Sequence, residues 1–404
     1  MPNLLFLTQR IPYPPNKGEK IRAFQVLQHL RRSYDVHLGC LIDDPADAEH
    51  AETVRAMCKD AYFATLDRRR AKFLCLRGLL TGEALSVTFF ADRGLAQWTN
   101  RVLDGIKPEA IVISSSNMAP YVLDHRHRGE VRVADLVDVD SEKWRTYAEK
   151  GSLAMRWVNR REWQRVAALE RRIVRECDWS TVVSPDEARL LATVVPDRAD
   201  RIRAISLGVD SDYFDPARAY EPMFDRALPN FVFTGTMDYP PNVDAVQWFA
   251  GAILPRIRKT LPHAQFHIVG ANPTASVQAL AQTGNGVFVT GRVPDVRPYT
   301  AYATACVAPM RITRGIQSKI LEAMAMARPV IVTPEALEGI SATPEKEIIR
   351  AQGEEAFAAA AVELATQPGG TEIGARARAR VLRDYIAAAR MCGFDELLRP
   401  APRG

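Results

Sequence analysis

The sequence predicts an α/β protein built from parallel, doubly wound sheets in two successive halves. Three observations lead there. Short apolar runs of strand length alternate with helix-length amphipathic stretches along the chain. The alternation restarts after a turn-rich connector, SLGVDSDYFDP, from Ser206 to Pro216. Three apolar runs of the second half then end in glycine, at Gly235, Gly270 and Gly291, and a glycine at a strand end lets a ligand approach the backbone closely.

A length of 404 residues suits two domains. Hydrophobic residues at 47% and charged residues at 25% describe an ordinary soluble globular chain. There is no run of 18 apolar residues, so no membrane-spanning helix is expected. The run Leu4 to Leu7 is too short for a signal peptide, and Arg10 follows at once. Cys40, Cys58, Cys75, Cys177, Cys306 and Cys392 are scattered without a CxxC pair. Neither a zinc site nor a disulfide framework is expected, and a reducing cytoplasm suits them. The net charge of +5 is mild. Its clustering favours anionic phosphates or lipid headgroups over nucleic acid, for which no binding motif appears.

The elements follow in order. Asn3 to Leu7 reads as a strand, and the loop after it carries Pro12, Pro14, Pro15, Lys17 and Gly18. Ile21, Phe24, Leu27 and Leu30 give one apolar face to a helix from Lys20 to Arg32, and Val36 to Leu41 reads as the next strand. In parallel sheets ligands sit at the carboxyl ends of strands, so the loop Thr8 to Lys20 is positioned to line a cleft. Arg68 to Leu80 mixes five basic residues with Phe73 and four leucines. It suits either a helix lying at an anionic membrane surface or an ordinary amphipathic helix packed on the sheet.

Ala110 to Ser114 and Arg132 to Val137 read as buried strands. The sequence DVDSEKW follows the second. Asp138 and Asp140 either form a metal-holding DxD or sit at a strand end pointing into the cleft, with Ser141 capping the next helix. The second reading suits the doubly wound pattern. Trp157 to Cys177 is a long basic helix whose arginines read as a solvated face. Ser184 and Pro185 read as N-cap and first residue of another helix, after a strand from Trp179 to Val183, and Ile202 to Ile205 is the last strand of the first half.

In the second half, Phe231 to Thr234, Gln265 to Val269, Val287 to Thr290 and Ala305 to Ala308 read as strands, and Val243 to Lys259 as a helix. Glu354 to Ala365 and Ala375 to Leu397 read as helices, the latter interrupted near Gly393. The stretch Arg311 to Thr333, RITRGIQSKILEAMAMARPVIVT, carries the chemistry. A loop with Gly315, Ile316, Gln317 and Ser318 feeds a helix from Lys319 to Ala327. Unpartnered N–H groups and the helix dipole make such a start an anion site, and Lys319 adds a full charge. Glu322, one turn on, suits a sugar hydroxyl.

These landmarks resemble a known family. PNKGEKIRAFQVLQHL, ECDWSTVVSPDEARLL, the connector SLGVDSDYF, HIVG, VFVTGRVPDVRPYTAYATACVAPM and KILEAMAMARPVIV are similar to retaining glycosyltransferases of the GT-B class, the group called family 4. Within it the chain resembles the branch associated with exopolysaccharide and exosortase-linked (PEP-CTERM) gene clusters.

The resemblance implies two Rossmann-like doubly wound domains facing a cleft, with residues 1–208 as acceptor domain and 209–385 as nucleotide-sugar donor domain. A C-terminal helix, 386–404, is expected to cross back to the first domain. It implies transfer of a sugar from a nucleotide-sugar to a lipid-linked or growing saccharide, with retention, by a cytoplasmic enzyme at the inner face of the inner membrane. No metal or other cofactor is expected. A nucleotide-sugar 2-epimerase on the same fold, or a non-catalytic binding partner, are the alternatives.

Position by position, Glu322 matches the family's ribose-holding glutamate, whereas Arg314 stands where a sugar-facing glutamate is usual. Gly315 to Ser318 match the loop that meets the donor's phosphates and sugar. Gly235 matches the glycine of the first strand-turn of the nucleotide domain. The run TMDYPPNVDA after it lacks the usual basic pair, which leaves Lys319, Arg292 and Arg311 as candidates for the missing charge. Lys17, Gly18 and Lys20 form the acceptor-side diphosphate loop. Asp138 and Asp140 stand where a histidine near the sugar is usual, and with Lys319 they are the candidate catalytic residues.

Overall fold

In the computed structural model, which describes residues 1–125, 129–149, 152–313 and 315–399, the chain forms two compact units. One is Met1–Ser206 together with the residues from Met391 on, and the other is Leu207–Arg390.

The first unit holds a seven-stranded sheet: β1 (Asn3–Thr8), β2 (Asp35–Ile42), β3 (Asp60–Thr65), β4 (Ala110–Ser114), β5 (Val131–Val137), β6 (Trp179–Val182) and β7 (Ile202–Ala204). Their order is β3-β2-β1-β4-β5-β6-β7, and every neighbouring pair is parallel. Parallel sheets bury both faces, and β1 shows why its sequence is apolar throughout. Leu5 and Leu7 enter one core with Ile111, Ile113 and Leu136, while Leu4 and Phe6 enter another with Val112 and Val133. Each such fully buried side chain contributes about 1.5–3 kcal/mol. The helices of this unit include α1 (Gly18–Leu30), α2 (Arg68–Thr81), α3 (Asp140–Ala148), α4 (Leu153–Glu176) and α5 (Pro185–Val194), of which α1, α4 and α5 put apolar side chains into the cores beside the sheet. Phe394, Leu397 and Leu398 join the core of Leu4 and Phe6.

A buried ion pair ties this unit together. Arg22 of α1 meets Asp135 of β5 through two 3.0 Å hydrogen bonds, Nε to Oδ2 and Nη2 to Oδ1. Thr181 donates to Asp135 Oδ1 at 2.7 Å, and the Arg22 guanidinium lies over the Phe394 ring. Both charges are removed from water, so the match of donors to acceptors is what makes their burial tolerable.

The second unit holds six parallel strands: β8 (Asn230–Thr234), β9 (Gln265–Val269), β10 (Val287–Gly291), β11 (Ala305–Ala308), β12 (Val330–Val332) and β13 (Ile349–Arg350). Their order is β10-β9-β8-β11-β12-β13, the first unit's pattern again. In both sheets the order reverses beside the first strand of the unit, and ligands of open α/β sheets sit at that switch point. The helices include α6 (Pro240–Trp248), α7 (Ser318–Ala325) and α8 (Gly370–Asp384).

One strand escapes the sequence reading and three readings change. β3, with the sequence DAYFAT, lacks a clear apolar run and is a strand because it pairs with β2 over six residues. The helix expected from Val243 to Lys259 contains a π turn at Phe249–Ile253. The helix expected from Ala375 to Leu397 stops at Asp384. There Tyr385 leaves helical geometry, Val209 N–H donates to its carbonyl and Ala387, which opens the next short helix Ala387–Met391, donates back to Val209 O. Ser141 is not a cap: α3 starts at Asp140, and Ser141 is a buried residue inside it. Among the described residues no helix is long and apolar enough to cross a membrane.

Candidate functional site

The switch point of the second sheet lies between β8 and β11, so the loops after these strands define the candidate site. β8 ends at Gly235, whose φ of 153° favours glycine. A Cβ there would stand 2.7 Å from Asn242 Nδ2 and 3.3 Å from Lys319 Nζ. β9 ends at Gly270, where a Cβ would fall 1.7 Å from the Gly235 carbonyl oxygen. Gly235 N–H donates to Val269 O at 3.0 Å and Gly270 N–H to Gly291 O at 3.2 Å. The three glycines therefore form one edge on which backbone packs directly against backbone.

Two elements deliver the charge. The loop after β11 turns through Gly315 at a φ of 67° and enters α7 with Gln317 as N-cap. The Gln317 side chain donates back to Thr313 Oγ1 at 2.5 Å, and Ile316 is the neighbour that a Cβ on Gly339 would meet. Ser318 is the first residue of α7, so the N–H groups of Ser318 and Lys319 lack an intrahelical partner, while that of Ile320 donates to Gln317 O at 3.0 Å. Asn242 lies in the first turn of α6, which Pro240 and Pro241 open. Its Nδ2 donates to Thr236 O at 2.9 Å, which fixes the amide, and its Oδ1 accepts from Lys319 Nζ at 2.6 Å. The ammonium also lies 4.2 Å from the Phe233 ring centroid.

Burial dominates the electrostatics. It pushes the Lys319 ammonium down to about 7, against the attraction of Glu322. It pushes the Glu322 carboxyl up to about 7, against the attraction of Lys319. Both side chains keep a partly exposed surface. A cavity of about 10 Å³, room for a single water, touches Lys319, Glu322, Thr234 and Thr300. The arrangement offers an incoming anion a cation that charges as the anion binds, next to open helix N–H groups.

The remaining donor-side candidates lie apart from this pair in their bonding. Arg311 is ion-paired with Asp244 of α6, at 3.0 Å from Nε and 2.5 Å from Nη2, and lies over the Trp248 ring. Arg292 follows Gly291 at the end of β10 and is exposed. Arg314 lies outside the described residues.

In the first unit the expected acceptor-side residues separate. Gly18 opens α1 with Lys17 as its N-cap residue, and both reach the surface. Lys20 is fully buried and pairs with Asp47 at 3.0 Å. It spends its charge inside the unit. At the end of β5 the backbone is strained: Val137, β-branched, has a φ of 69° beside a register shift. Asp138 and Asp140 follow. Burial raises the Asp140 carboxyl, and Ser116 after β4 donates to it at 3.3 Å. The start of α3 is held by two acids from other helices. Glu187 accepts from Val139 N–H at 2.7 Å and Glu170 from Ser141 N–H at 3.0 Å.

Sequence reasoning missed Asn242, Glu170 and Glu187. Asn242 follows two prolines and reads locally as a helix start. Only the fold brings it to Lys319, 77 residues away.

Comparison with known proteins adds to this picture. A sequence model of the family described as Glycosyl transferases group 1 matches residues 228–367, within the second unit. No curated protein matches the chain. Sucrose-phosphate synthase from Thermosynechococcus elongatus is similar in structure, with a TM-score of 0.71 and 17% identity over 98% of each chain. HepE from Anabaena, in complex with UDP and glucose, has a TM-score of 0.68 and 13% identity over 98% of this chain and 99% of its own. WaaG, a glycosyltransferase involved in lipopolysaccharide biosynthesis, has a TM-score of 0.66 and 14% identity over 98% of this chain and 100% of its own. With two parallel sheets of the same strand order, these similarities define a GT-B fold of two Rossmann-like domains.

Proposed function

We propose that this protein is a glycosyltransferase that takes a sugar from a nucleotide-sugar donor and passes it, with retention, to a lipid-linked or growing saccharide of exopolysaccharide biosynthesis. The observation that carries the reading is the Lys319–Asn242 pair at the head of α7, beside Gly235. It supplies a cation and open N–H groups for a departing diphosphate, the group whose charge such a transfer must stabilise. The family match over the same unit supports it. Glu322 takes the ribose hydroxyls, and the Gly315–Ser318 loop takes the phosphates and sugar. On the acceptor side the Lys17–Gly18 start of α1 meets the acceptor, and the acids Asp138 and Asp140 stand near the transferred sugar as catalytic candidates. No protein nucleophile and no metal are invoked.

HepE was crystallised with UDP, so a uridine nucleotide is the first donor to try. The test is calorimetric titration of the protein with a panel of nucleoside diphosphates and nucleotide sugars, followed by transfer assays in membranes. Binding that Lys319→Ala abolishes, with a labelled saccharide product, is the expected result. Failure of every nucleotide to bind removes the reading. The titratable pair Lys319 and Glu322 also suits acid–base chemistry on the same fold. An isomerised nucleotide sugar formed without acceptor would mark a 2-epimerase instead.

A further inference from the structure

The end of α7 opposite Lys319 carries an arginine held at a set point. Ala327 N–H donates to Met324 O and Arg328 N–H to Ala323 O, both at 3.0 Å, with Ala327 in the left-handed region at a φ of 52°. This is a Schellman stop, a turn usually built on glycine. Gly374 of α8 closes over it: a Cβ there would fall 2.1 Å from Ala327 O. Pro329 then leads into β12, and its carbonyl accepts from Cys306 N–H of β11 at 2.9 Å. Arg328 therefore stands beside the start of β11, about 12 Å along α7 from the donor-site lysine.

The guanidinium there has no partner of its own. Its Nε is sealed from water and makes no hydrogen bond. An arginine after a helix commonly serves the last carbonyls. Here those are taken, Ala323 and Met324 by the turn itself and Ala325 by Arg378 Nη1. Burial holds the Arg328 guanidinium below its usual range, and the charge of Arg226 pushes the same way. Arg226 is exposed and lies 4.4 Å from the centroid of the Tyr302 ring. Tyr302 is anchored in turn by its hydroxyl, which donates to Tyr220 O at 2.5 Å. Among the described residues neither arginine is in an ion pair. Other arginines of the unit are: Arg297 pairs with Asp295, Arg378 with Asp215 and Arg380 with Glu347. A half-buried cation beside a like charge is costly until an anion joins it, and a buried donor without an acceptor marks the place of one.

We propose that Arg226 and Arg328 hold a tetrahedral oxyanion of the phosphate type, at a site of the second unit separate from the donor site. Each guanidinium presents a planar fork of N–H donors, which matches a pair of phosphate oxygens. The anion gives Arg328 Nε an acceptor and offsets two charges that otherwise oppose each other. It also joins the segment before β8, which carries Arg226, to the turn that ends α7. A ligand that binds the folded chain alone stabilises it, so the anion raises the melting temperature. The site does not depend on the proposed function.

The test is calorimetric titration of the full-length Lys319→Ala protein, which lacks the donor-site cation, with inorganic phosphate at constant ionic strength. Sodium chloride is the control. One phosphate per chain is expected to bind and to raise the melting temperature, and chloride is expected to do neither. In the same background Arg328→Gln and Arg226→Gln should each lower phosphate affinity about tenfold, the scale of a lost charge-assisted hydrogen bond. Circular dichroism checks that each variant is folded, and if Arg328→Gln is not, the exposed Arg226→Gln decides. Glucose 1-phosphate is titrated beside the free ion. Tighter binding than inorganic phosphate assigns a phosphate monoester to the site and weaker binding assigns the free ion, and either supports it. Absence of phosphate binding overturns the proposal. So does an equal effect of chloride, or unchanged affinity in the folded Arg226→Gln protein. Nucleotide binding to the wild-type protein is measured separately, so failure of this site and failure of the donor site are distinguishable.

Discussion

The amide oxygen of Asn242 accepts a 2.6 Å hydrogen bond from the ammonium of Lys319, and that amide is itself fixed by the carbonyl of Thr236. A lysine with this anchor presents its charge from a set position. Replacing Lys319 with Ala is expected to leave the fold intact and lower transfer by about 100-fold or more, the scale of a lost electrostatic contact to a leaving group. Asn242→Ala leaves the ammonium without its acceptor and is expected to weaken nucleotide binding about tenfold. Calorimetry and turnover on the two variants check both.

The buried lysine also predicts a proton balance. In the free protein Lys319 titrates near 7, so at pH 8 it is mostly neutral. A diphosphate beside it favours the charged form, and binding at pH 8 is expected to take up close to one proton. Titration in buffers of different ionisation enthalpy measures this uptake. Lys319→Ala should abolish it, and wild-type affinity should fall as pH rises above 7.

The glycine edge predicts an order of damage. Gly270→Ala forces a methyl to 1.7 Å from the Gly235 carbonyl, which backbone cannot relieve, and about 4 kcal/mol or more of stability is expected to be lost. Gly235→Ala presses on the Asn242 side chain at 2.7 Å. It is expected to cost about 1–3 kcal/mol, chiefly from its φ, and to weaken nucleotide binding as well. Urea denaturation ranks the two.

Glu170 predicts how stability changes with pH. Burial raises its carboxyl from 4.5 to about 7, so the folded state binds more protons than the unfolded state between these values. Its contribution is present below pH 4.5 and is lost as pH rises through 7. Wild-type stability should fall over that window by up to about 3 kcal/mol more than that of Glu170→Gln. Denaturant midpoints at pH 5 and pH 8 for the two proteins give the difference.

Much of the sheet core was legible because burial on both faces leaves continuous apolar runs, as in Asn3–Thr8 and Gln265–Val269. β3 was not, since DAYFAT becomes a strand only by pairing with its neighbour. Around the site, the glycine strand ends and a helix start at Lys319, one residue after the observed one, were visible as local punctuation. Asn242, Glu170 and Glu187 were not, because each acts across the fold on a partner far away in sequence. Lys20 and Arg311 were read as free cations. A sequence does not disclose that Asp47 and Asp244 have taken them.

The discontinuity of the first unit bears on synthesis. Phe394, Leu397 and Leu398 belong to the core that Leu4 and Phe6 begin, while residues 207–390 form a unit of their own. On a ribosome the amino-terminal half emerges first but waits for its last segment until the residues from Met391 on have followed. The continuous later unit has all its residues sooner. An N-terminal domain usually has all its residues before the one behind it; here the later unit is the first to be complete in sequence, and a nascent chain stalled before Met391 holds every residue of the second unit but not of the first.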